Sequence, residues 1–409
     1  MRFTMIQLIK MAYRDLGRNR RRSFFSALAL GIGLALLLLM AAVMQGEMRS
    51  SMDMSIKLQS GHLQVRSINY NPDKNSLAWQ DLVENPEQVA AQIATLAPVK
   101  AATPRLIASG IVSVSDETAG VTIMGIDPAS EASAPYRDSL VGGEYLTADD
   151  RGGVLMGKKL ADVLGLKVGD TINLMANTSN GDVEEQNFTV RGLYATGSPY
   201  YDQTTLLLPL SKAQAITQTE NRASHIFVLL TDRDMTEPVV AALQSDQLEV
   251  VTWRTMNAMI TQIEQMSSGF MVLIYLIVLG ITATVIVNTL VMAVFERTRE
   301  IGILAAIGMR GSRIMAMFFA ESTLLAVGGI LIGMVLGGIM VAYATYVGFY
   351  IGDFGIEGLL IGDRIYAYLT VTDAVSLVIT AFVVSLLAAL YPALLASRME
   401  PVVALHTGE

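Results

Sequence analysis

Four long apolar stretches dominate the chain and predict membrane-spanning helices. They cover residues 24–44, 270–294, 314–341 and 372–394. Each is long enough to cross a bilayer core of about 30 Å, which takes roughly 20 apolar residues in a helix. Allowing for their flanks, we place the spans at residues 23–46, 266–295, 314–347 and 372–396. An even number of spans puts both ends of the chain on the same side of the membrane.

Residues 47–265, between the first and second spans, have the mixed polar and apolar pattern of a water-exposed domain. A strand–helix–strand pattern near each end predicts one composite α/β subdomain built from residues 47–126 and 211–265. Residues 127–210 have short alternating runs broken by Gly and Asn, which predicts an inserted β-rich subdomain. The expected fold is therefore membrane α-helical, with four transmembrane helices and a large extracytoplasmic α+β domain inserted between helices 1 and 2.

Composition supports this mixed architecture. The 409 residues are 52% apolar and 16% charged, which excludes both an ordinary soluble enzyme and a chain lying wholly in the membrane. Residues 47–266 carry 16 basic and 27 acidic residues, a net charge of −11 against −8 for the whole chain. This acidic balance argues against nucleic acid as a partner. There is no cysteine, so the exterior domain must be held by its core and not by disulfides.

Basic residues are concentrated on one side of the apolar stretches, which predicts the orientation. Before the first span stand Arg2, Lys10, Arg14, Arg18, Arg20, Arg21 and Arg22, and after the second stand Arg297, Arg299, Arg310 and Arg313. The positive-inside rule then places both termini in the cytoplasm and residues 47–265 and 348–371 outside. Residues 1–22 are expected to hold an interfacial helix on the cytoplasmic leaflet, and residues 397–409 a cytoplasmic tail.

Residues 296–313 form the loop after the second span, and the part that reads ERTREIGILAAIGM, residues 296–309, is charged and then apolar. Ile301, Leu304 and Ala305 recur at the three- and four-residue steps that share one helix face. The pattern predicts a short amphipathic helix on the cytoplasmic surface, because its charges cannot lie in hydrocarbon. An ordinary loop helix is the alternative.

This segment, from Glu296 to Gly308, resembles the cytoplasmic coupling helix of ABC transporter permeases of the FtsX/MacB superfamily, and is most similar to lipoprotein-releasing LolC/LolE permeases. The resemblance extends to residues 124–128 (MGIDP), 157–170 (GKKLADVLGLKVGD) and 188–192 (FTVRG) of the exterior region. It implies that the helix docks on a separate ABC ATPase subunit and conveys its motion to the membrane helices. The residues expected to take part in this coupling are Glu296, Arg297, Arg299, Glu300, Ile301, Leu304 and Ile307.

Two methionine-rich stripes are candidates for contact with lipophilic cargo. Met40, Met44 and Met48 follow one another at four-residue steps, and Met259, Met266 and Phe270 lie at seven- and four-residue steps. Flexible thioethers adapt to irregular apolar shapes, which suits acyl chains or apolar peptides. Ordinary helix packing is the alternative reading of both stripes.

The third span has a pattern that favours close helix packing. Gly329, Gly333 and Gly337 are four residues apart, which leaves a groove that another helix can approach. Glu321 lies near the cytoplasmic end of the same span. A carboxylate there predicts either a structural bond to the coupling segment or exposure at the interface.

No catalytic, cofactor-binding or metal-binding site is expected. His62, His225 and His406 are far apart and lack ligand spacing, and there is no cysteine nucleophile. Residues 152–159 (GGVLMGKK) approach the Walker A pattern, but Lys159 stands where that loop needs Ser or Thr to hold magnesium. The resemblance therefore implies that ATP and magnesium are bound by the partner ATPase.

Together these features predict a non-enzymatic permease subunit in the bacterial inner membrane that couples ATP hydrolysis on its partner to the extraction of lipophilic cargo, above all lipoprotein release. Four spans are few for a translocation unit, so a second permease, identical or related, is expected beside membrane lipid and cargo. Two alternatives stay open: transmembrane signalling to an exterior enzyme, as in FtsX, and drug or peptide efflux, as in MacB.

Overall fold

The structure, a computed structural model, describes residues 11–14, 17–18, 20–115, 117–232, 234–243, 247–352 and 360–399. Much of the predicted interfacial helix and the tail beyond residue 399 lie outside the described residues. The chain divides into two compact units. The helical unit comprises Met1–Glu47, Glu264–Phe349 and Ile365–Glu409, and the sheet unit comprises Met48–Ile263 and Tyr350–Arg364.

The helices of the described residues are α1 Arg20–Ser55, α2 Pro86–Ala94, α3 Ala134–Asp138, α4 Lys158–Val163, α5 Pro199–Thr204, α6 Leu210–Thr217, α7 Thr236–Leu243, α8 Trp253–Met256, α9 Ala258–Glu296, α10 Thr298–Ala306, α11 Gly311–Tyr346 and α12 Val371–Ser397. A π-helical turn, Ile56–Ser60, continues α1. The strands are β1 Leu63–Ser67, β2 Val83–Glu84, β3 Val99–Val114, β4 Glu117–Ile126, β5 Leu140–Gly143, β6 Gly153–Gly157, β7 Thr171–Asn177, β8 Val183–Tyr194, β9 Thr205–Pro209, β10 Arg222–Ala223, β11 His225–Leu230, β12 Leu248–Thr252, β13 Phe349–Tyr350 and β14 Arg364–Ile365.

Four helices of the described residues are long and apolar enough to cross a membrane: α1, α9, α11 and α12. They correspond to the four predicted spans, but α1 and α9 continue well beyond the apolar stretches. The reason is that polar side chains do not interrupt the backbone hydrogen bonds of a helix, so an apolar run marks the membrane-embedded part and not the helix end. Leu34, Leu290, Leu325 and Ala389, one from each helix, are buried in a common core.

The segment before α12 is held against the ends of α1 and α11 by backbone hydrogen bonds. Tyr368 N donates to Ala42 O at 2.8 Å, and Ala367 N donates to Ala344 O at 3.2 Å. A Cβ on Gly46 would lie 1.8 Å from the Tyr366 carbonyl oxygen, so only glycine fits there. This close approach links α1, near Gly46, to the end of α11 through the segment before α12.

One part of the sheet unit is a four-stranded antiparallel sheet in the order β12–β1–β11–β3. Helices α2 and α7 supply the apolar side chains that cover one face, where Val65, Ile93, Val228 and Val239 are buried. These elements are the two predicted strand–helix–strand patterns. Their strands combine into one sheet because β1, from the first pattern, lies between β11 and β12 of the second.

The other part of the sheet unit is a closed barrel. The pairings β3–β4, β4–β9, β9–β6, β6–β8, β8–β7 and β7–β3 return to the starting strand. Its interior is filled by alternate side chains such as Leu106, Ile123, Leu174, Val190 and Leu206, all buried. Closure matters because it leaves no open strand edge along this circuit for another chain to pair with.

The long strand β3 belongs to both parts. Its residues up to Arg105 pair with β11, and those from Leu106 onward pair with β4. The predicted start of the β-rich subdomain is residue 127, whereas in the structure the change of partner occurs within β3. A boundary of this kind has no turn or glycine signal, because the backbone simply runs on from one sheet to the next.

Candidate coupling site

The predicted amphipathic segment forms a short helix, α10, between α9 and α11. It ends in a tight turn in which Gly308, with a φ of +93°, follows Ile307. Gly308 N donates to Ala305 O and Met309 N donates to Leu304 O, both at 3.0 Å, so the last carbonyls are satisfied. A glycine with positive φ at this point is the usual way to stop a helix. The turn sends the chain directly into α11.

One side of α10 is anchored in the helical unit. Ile301 is buried, and so is Gly302 beside it. Ile301 belongs to a core that also contains Val294 of α9, Phe318 of α11 and Ala393 of α12. Burying a side chain of this size contributes about 1.5–3 kcal/mol. The helix is therefore attached to three membrane helices and does not hang free as a loop.

A buried ion pair reinforces the anchor. Arg297 directly precedes α10, and its Nη1 lies 3.6 Å from Oε2 of Glu321 in α11. The two side chains are only 2% and 3% exposed. Removing one partner of such a pair leaves the other charge buried, which costs about 3–5 kcal/mol. Of the two readings of Glu321 from sequence, the structure shows the bond to the coupling segment.

Two further ion pairs join this region to the start of α1. Arg18 lies 2.9 Å from Glu300, and Arg22 lies 2.5 Å from Glu296. The Arg18–Glu300 pair is more than half exposed, so it contributes little to stability. The two pairs nevertheless set the direction in which Glu296, at the end of α9, and Glu300, in α10, point.

The opposite side of α10 is exposed and apolar. Ile303 is 44% exposed and Ile307 is 80% exposed, one turn apart, and Arg299 lies one turn before them on the same side. A large aliphatic side chain with that much exposure next to a charged turn is typical of a surface that another protein covers.

The structure separates the seven predicted coupling residues into three groups. Arg297 and Ile301 are buried, Leu304 is half-buried, and Glu296, Arg299, Glu300 and Ile307 are exposed. Sequence reasoning missed Ile303. The four-residue spacing of Arg299, Ile303 and Ile307 is a signal that could have found it, but the apolar positions Ile301, Leu304 and Ala305 on the other side gave an equally regular pattern.

The candidate cargo residues differ in exposure. Met40 in α1 and Met259, Met266 and Phe270 in α9 are exposed, whereas Met44 and Met48 are half-buried. Met48 packs against the buried residues Met52 and Trp253 of the sheet unit. The first stripe thus changes along its length from an open surface to a packed one. Contact with cargo stays a prediction for all six residues.

The three glycines of α11 lie directly against α1. A Cβ on Gly329, Gly333 or Gly337 would come within 2.6–2.9 Å of atoms of Leu30, Gly31 and Leu38, respectively, or their neighbours. Such distances are shorter than real Cβ contacts, so the two helices can approach this closely only because side chains are missing. Among the described residues no cluster of His, Cys, Asp or Glu has the arrangement of a metal site.

Comparison with known families settles the class of protein. The family described as MacB-like periplasmic core domain matches residues 23–246, which is more than half of the chain. The FtsX-like permease C-terminal family matches residues 272–401. The chain belongs to the FtsX/MacB superfamily of ABC transporter permeases. It is thus a membrane protein with four spanning helices and a large extracellular α+β domain between the first and the second.

Individual members of the superfamily align over most of the chain. The lipoprotein-releasing system transmembrane protein LolE of Haemophilus influenzae is 24% identical over 92% of this chain and 92% of its own length. LolC of Neisseria meningitidis is 23% identical over 95% of both chains. The pyoverdine export ATP-binding/permease protein PvdT of Pseudomonas fluorescens is 26% identical over 84% of this chain, but over only 54% of its own length.

Membership in this superfamily implies an ATPase partner, since an ABC permease works with an ATP-binding subunit or domain. The relatives that align over more than nine-tenths of their length are transporter permease subunits and not enzymes. Helix α10 combines charged residues at its start, exposed apolar side chains on one side and anchorage to the spanning helices on the other.

Proposed function

We propose that this chain is the permease subunit of a lipoprotein-releasing ABC transporter in a bacterial inner membrane, and that α10 is its docking helix for the ATPase. The observation that carries the proposal is the two-sided character of α10. Ile303 and Ile307 are exposed, whereas Ile301 on the other side is buried among α9, α11 and α12. A partner bound to the exposed side would therefore contact a helix whose displacement also displaces α9, α11 and α12.

The route for force within the permease follows from the buried ion pair. Arg297 precedes α10 and Glu321 lies ten residues after Gly311, the first residue of α11, so a displacement of α10 acts on α11 through a contact that is costly to break. The close packing of α11 on α1 at Gly333 then passes the displacement to the first span. ATP-driven closure of the partner would thus tilt the helices as a group.

The remaining parts of the proposal rest on the charge pattern and on the relatives. Both termini are cytoplasmic, ATP and magnesium are bound by the partner, and the chain itself carries no catalytic centre. A second permease completes the translocation unit, because the exposed apolar side chains of α9 require lipid or another helix to cover them. Lipoprotein is the proposed cargo because relatives that align over more than nine-tenths of their length are named for its release.

The decisive experiment is copurification of the ATPase with variants of α10. Ile303→Asp combined with Ile307→Asp is expected to lower the amount of ATPase recovered with the permease at least tenfold, because two charges would be buried in the apolar contact. Ile68→Asp is the matched control, since Ile68 is an equally exposed isoleucine of the sheet unit. Undiminished recovery with the double variant would exclude α10 as the docking helix.

Export of a small molecule is a second candidate because a pyoverdine export protein is among the relatives. The two functions predict different phenotypes on deletion of the gene. Loss of lipoprotein release leaves lipoproteins in the inner membrane, whereas loss of an exporter leaves them correctly distributed and alters resistance or secretion. Fractionation of inner and outer membranes distinguishes the two outcomes.

A further inference from the structure

The sheet unit holds the last turn of α1 by buried polar contacts. Helix α1 continues through the π-helical turn Ile56–Ser60 and stops at Gly61, where φ is +63°. A helix end leaves its final carbonyls without partners in the helix. Here the Ile56 carbonyl accepts from Gly61 N at 3.0 Å, and the Gln59 carbonyl accepts from Nε2 of Gln64 at 2.9 Å. The end of the helix is therefore satisfied by the strand that follows it.

The Leu58 carbonyl has two fully buried donors from other elements. Nη1 of Arg105, in β3, donates to it at 2.6 Å, and the hydroxyl of Tyr136, in α3, donates at 2.8 Å. The Tyr136 hydroxyl is also 2.8 Å from that of Tyr201, in α5. Arg105 and Tyr136 are 0% exposed. The Leu58 carbonyl, in the turn that continues α1, is thus bound directly by β3 and α3, and α5 supports it through Tyr136.

Arg105 is unusual because its charge is buried without a carboxylate. Among the described residues no ion pair involves it, and its other contacts are the Ala132 carbonyl at 3.3 Å and the ring of Phe227, whose centroid lies 3.4 Å from Cζ. A buried cation is costly unless something compensates its charge. The negative end of the α1 dipole and the aromatic face supply that compensation. The position of the end of α1 and the burial of the Arg105 charge therefore depend on each other.

The same helix end is tied to the beginning of α9. Asn257 directly precedes α9; its Oδ1 accepts from Ser55 Oγ at 2.5 Å, and its Nδ2 donates to Ser60 Oγ at 3.2 Å and to the Trp253 carbonyl at 2.8 Å. All these side chains are buried. The contacts join the last turn of one spanning helix to the first residue before the next.

We propose that Arg105 is a positioning residue for coupling: it clamps the last turn of α1 to the sheet unit, and with Asn257 it makes the ends of α1 and α9 one closed joint. The inference rests on the proposed function, because it states how motion of the spans reaches the extracellular domain. The joint stays closed throughout the cycle. If the joint is loosened, ATP is still hydrolysed but less lipoprotein is released for each ATP.

The test compares release with hydrolysis in the full-length permease, assembled with its ATPase in proteoliposomes that contain a fluorescent lipoprotein. For Arg105→Gln we expect ATP hydrolysis within twofold of the unaltered complex and at least tenfold less lipoprotein released per ATP. Tyr136→Phe, which removes one hydrogen bond only, should lower the ratio about two- to fivefold. A ratio is used because a smaller folded fraction lowers both rates together and leaves it unchanged.

Arg137→Gln is the matched control, since Arg137 is an exposed arginine next to Tyr136 in α3. It should behave as the unaltered chain. An unchanged ratio for Arg105→Gln overturns the inference, and if that variant does not assemble, an unchanged ratio for Tyr136→Phe does so. An unaltered complex that hydrolyses ATP but releases no lipoprotein is a different result: it overturns the proposed function, and the inference with it.

A second variant tests whether the joint stays closed. The chain has no cysteine, so Ser55→Cys with Asn257→Cys introduces a single pair of thiols at side chains that touch in the structure. The reduced variant lacks the hydrogen bonds of the Asn257 side chain and should release less lipoprotein per ATP, whereas oxidation closes the joint covalently and should bring the ratio back to within twofold of the unaltered complex. Loss of release on oxidation, with recovery after reduction, would show that the joint must open and would overturn the inference.

Discussion

Two buried residues of the sheet unit have displaced pKa values with opposite effects on stability. Burial raises the pKa of Asp202 to about 6, although hydrogen bonds from Thr196 lower it. Burial also lowers the pKa of His225 to about 3, and the cations Arg105 and Arg66 lower it further. Near neutral pH the folded protein therefore carries a charged Asp202 and a neutral His225.

The sign of each effect follows from which state binds the proton. Between pH 6 and 4 the folded protein holds a proton on Asp202 that the unfolded chain releases, so this residue adds stability as the pH falls. Over the same range the unfolded chain binds a proton on His225 that the folded protein excludes, so that residue removes stability. Each slope is about 1.4 kcal/mol per pH unit, and the two nearly cancel.

Single variants should reveal how each residue changes the free energy of unfolding with pH. Compared with the unaltered chain, Asp202→Asn should lose stability as the pH falls from 6 to 4, and His225→Gln should gain stability, each by about 1–3 kcal/mol over the range. Urea unfolding can be followed by tryptophan fluorescence in detergent. Both tryptophans of the chain, Trp79 and Trp253, lie in the sheet unit, so the signal reports that unit alone. Parallel pH curves for all three proteins would contradict the assignment.

At the scale of elements, the contact between α1 and α11 depends on missing side chains. Gly333→Ala should lower the stability of the helical unit by about 1–3 kcal/mol, because the new Cβ would lie 2.8 Å from the Gly31 carbonyl oxygen. Gly338→Ala in the same helix is the control. Nothing lies within 4 Å of its added Cβ, and alanine favours a helix over glycine by up to about 1 kcal/mol.

The stability of the helical unit can be measured by heating in detergent with a thiol-reactive dye. Ser385→Cys supplies the reporter, since Ser385 is buried in α12 and the chain has no other thiol. The midpoint should fall for Gly333→Ala and stay level or rise for Gly338→Ala. Equal midpoints for the two variants would mean that the helices are not in close contact at Gly333.

The sequence predicted those elements whose pattern is local. Apolar runs identified the four spanning helices, and the charge pattern identified α10. It could not decide which side of α10 is exposed, because Ile301 and Ile303 stand on opposite sides of a nine-residue helix that is apolar on both. Packing against α9, α11 and α12, which the local pattern does not reveal, buries one of them.

Two other features, the closure of the barrel and the burial of Arg105, could not be predicted from the sequence. Closure of the barrel depends on β7 pairing with β3 as well as with its neighbour β8, and such a non-local pairing has no signature in either strand. Arg105 reads as a solvated charge in sequence. Its partners are the Leu58 and Ala132 carbonyls and the ring of Phe227. Every residue has a backbone carbonyl, so the sequence does not indicate which carbonyl will accept a hydrogen bond from Arg105.

At the scale of the whole molecule, the exposed apolar surface of α9 is the place to look for cargo. Met266, Phe270, Leu273 and Ile277 are exposed at four-, three- and four-residue steps, on one side of the helix. A photo-crosslinking amino acid at Met266 should capture lipoprotein in membranes and lose it when ATP is supplied to the complex. At Ile379, an exposed residue of α12, it should capture lipid only. Equal capture at both positions would contradict a cargo surface on α9.

The arrangement of β1 dictates the order in which the exterior domain is completed during export of the chain. The barrel strands lie between Val99 and Pro209, so the barrel can close while later residues are still crossing the translocon. Strand β1 leaves the membrane first but finds its partners β11 and β12 last. A newly inserted chain thus carries an unpaired first strand until almost the whole domain has emerged, and this interval is the one in which the chain is most vulnerable to proteolysis.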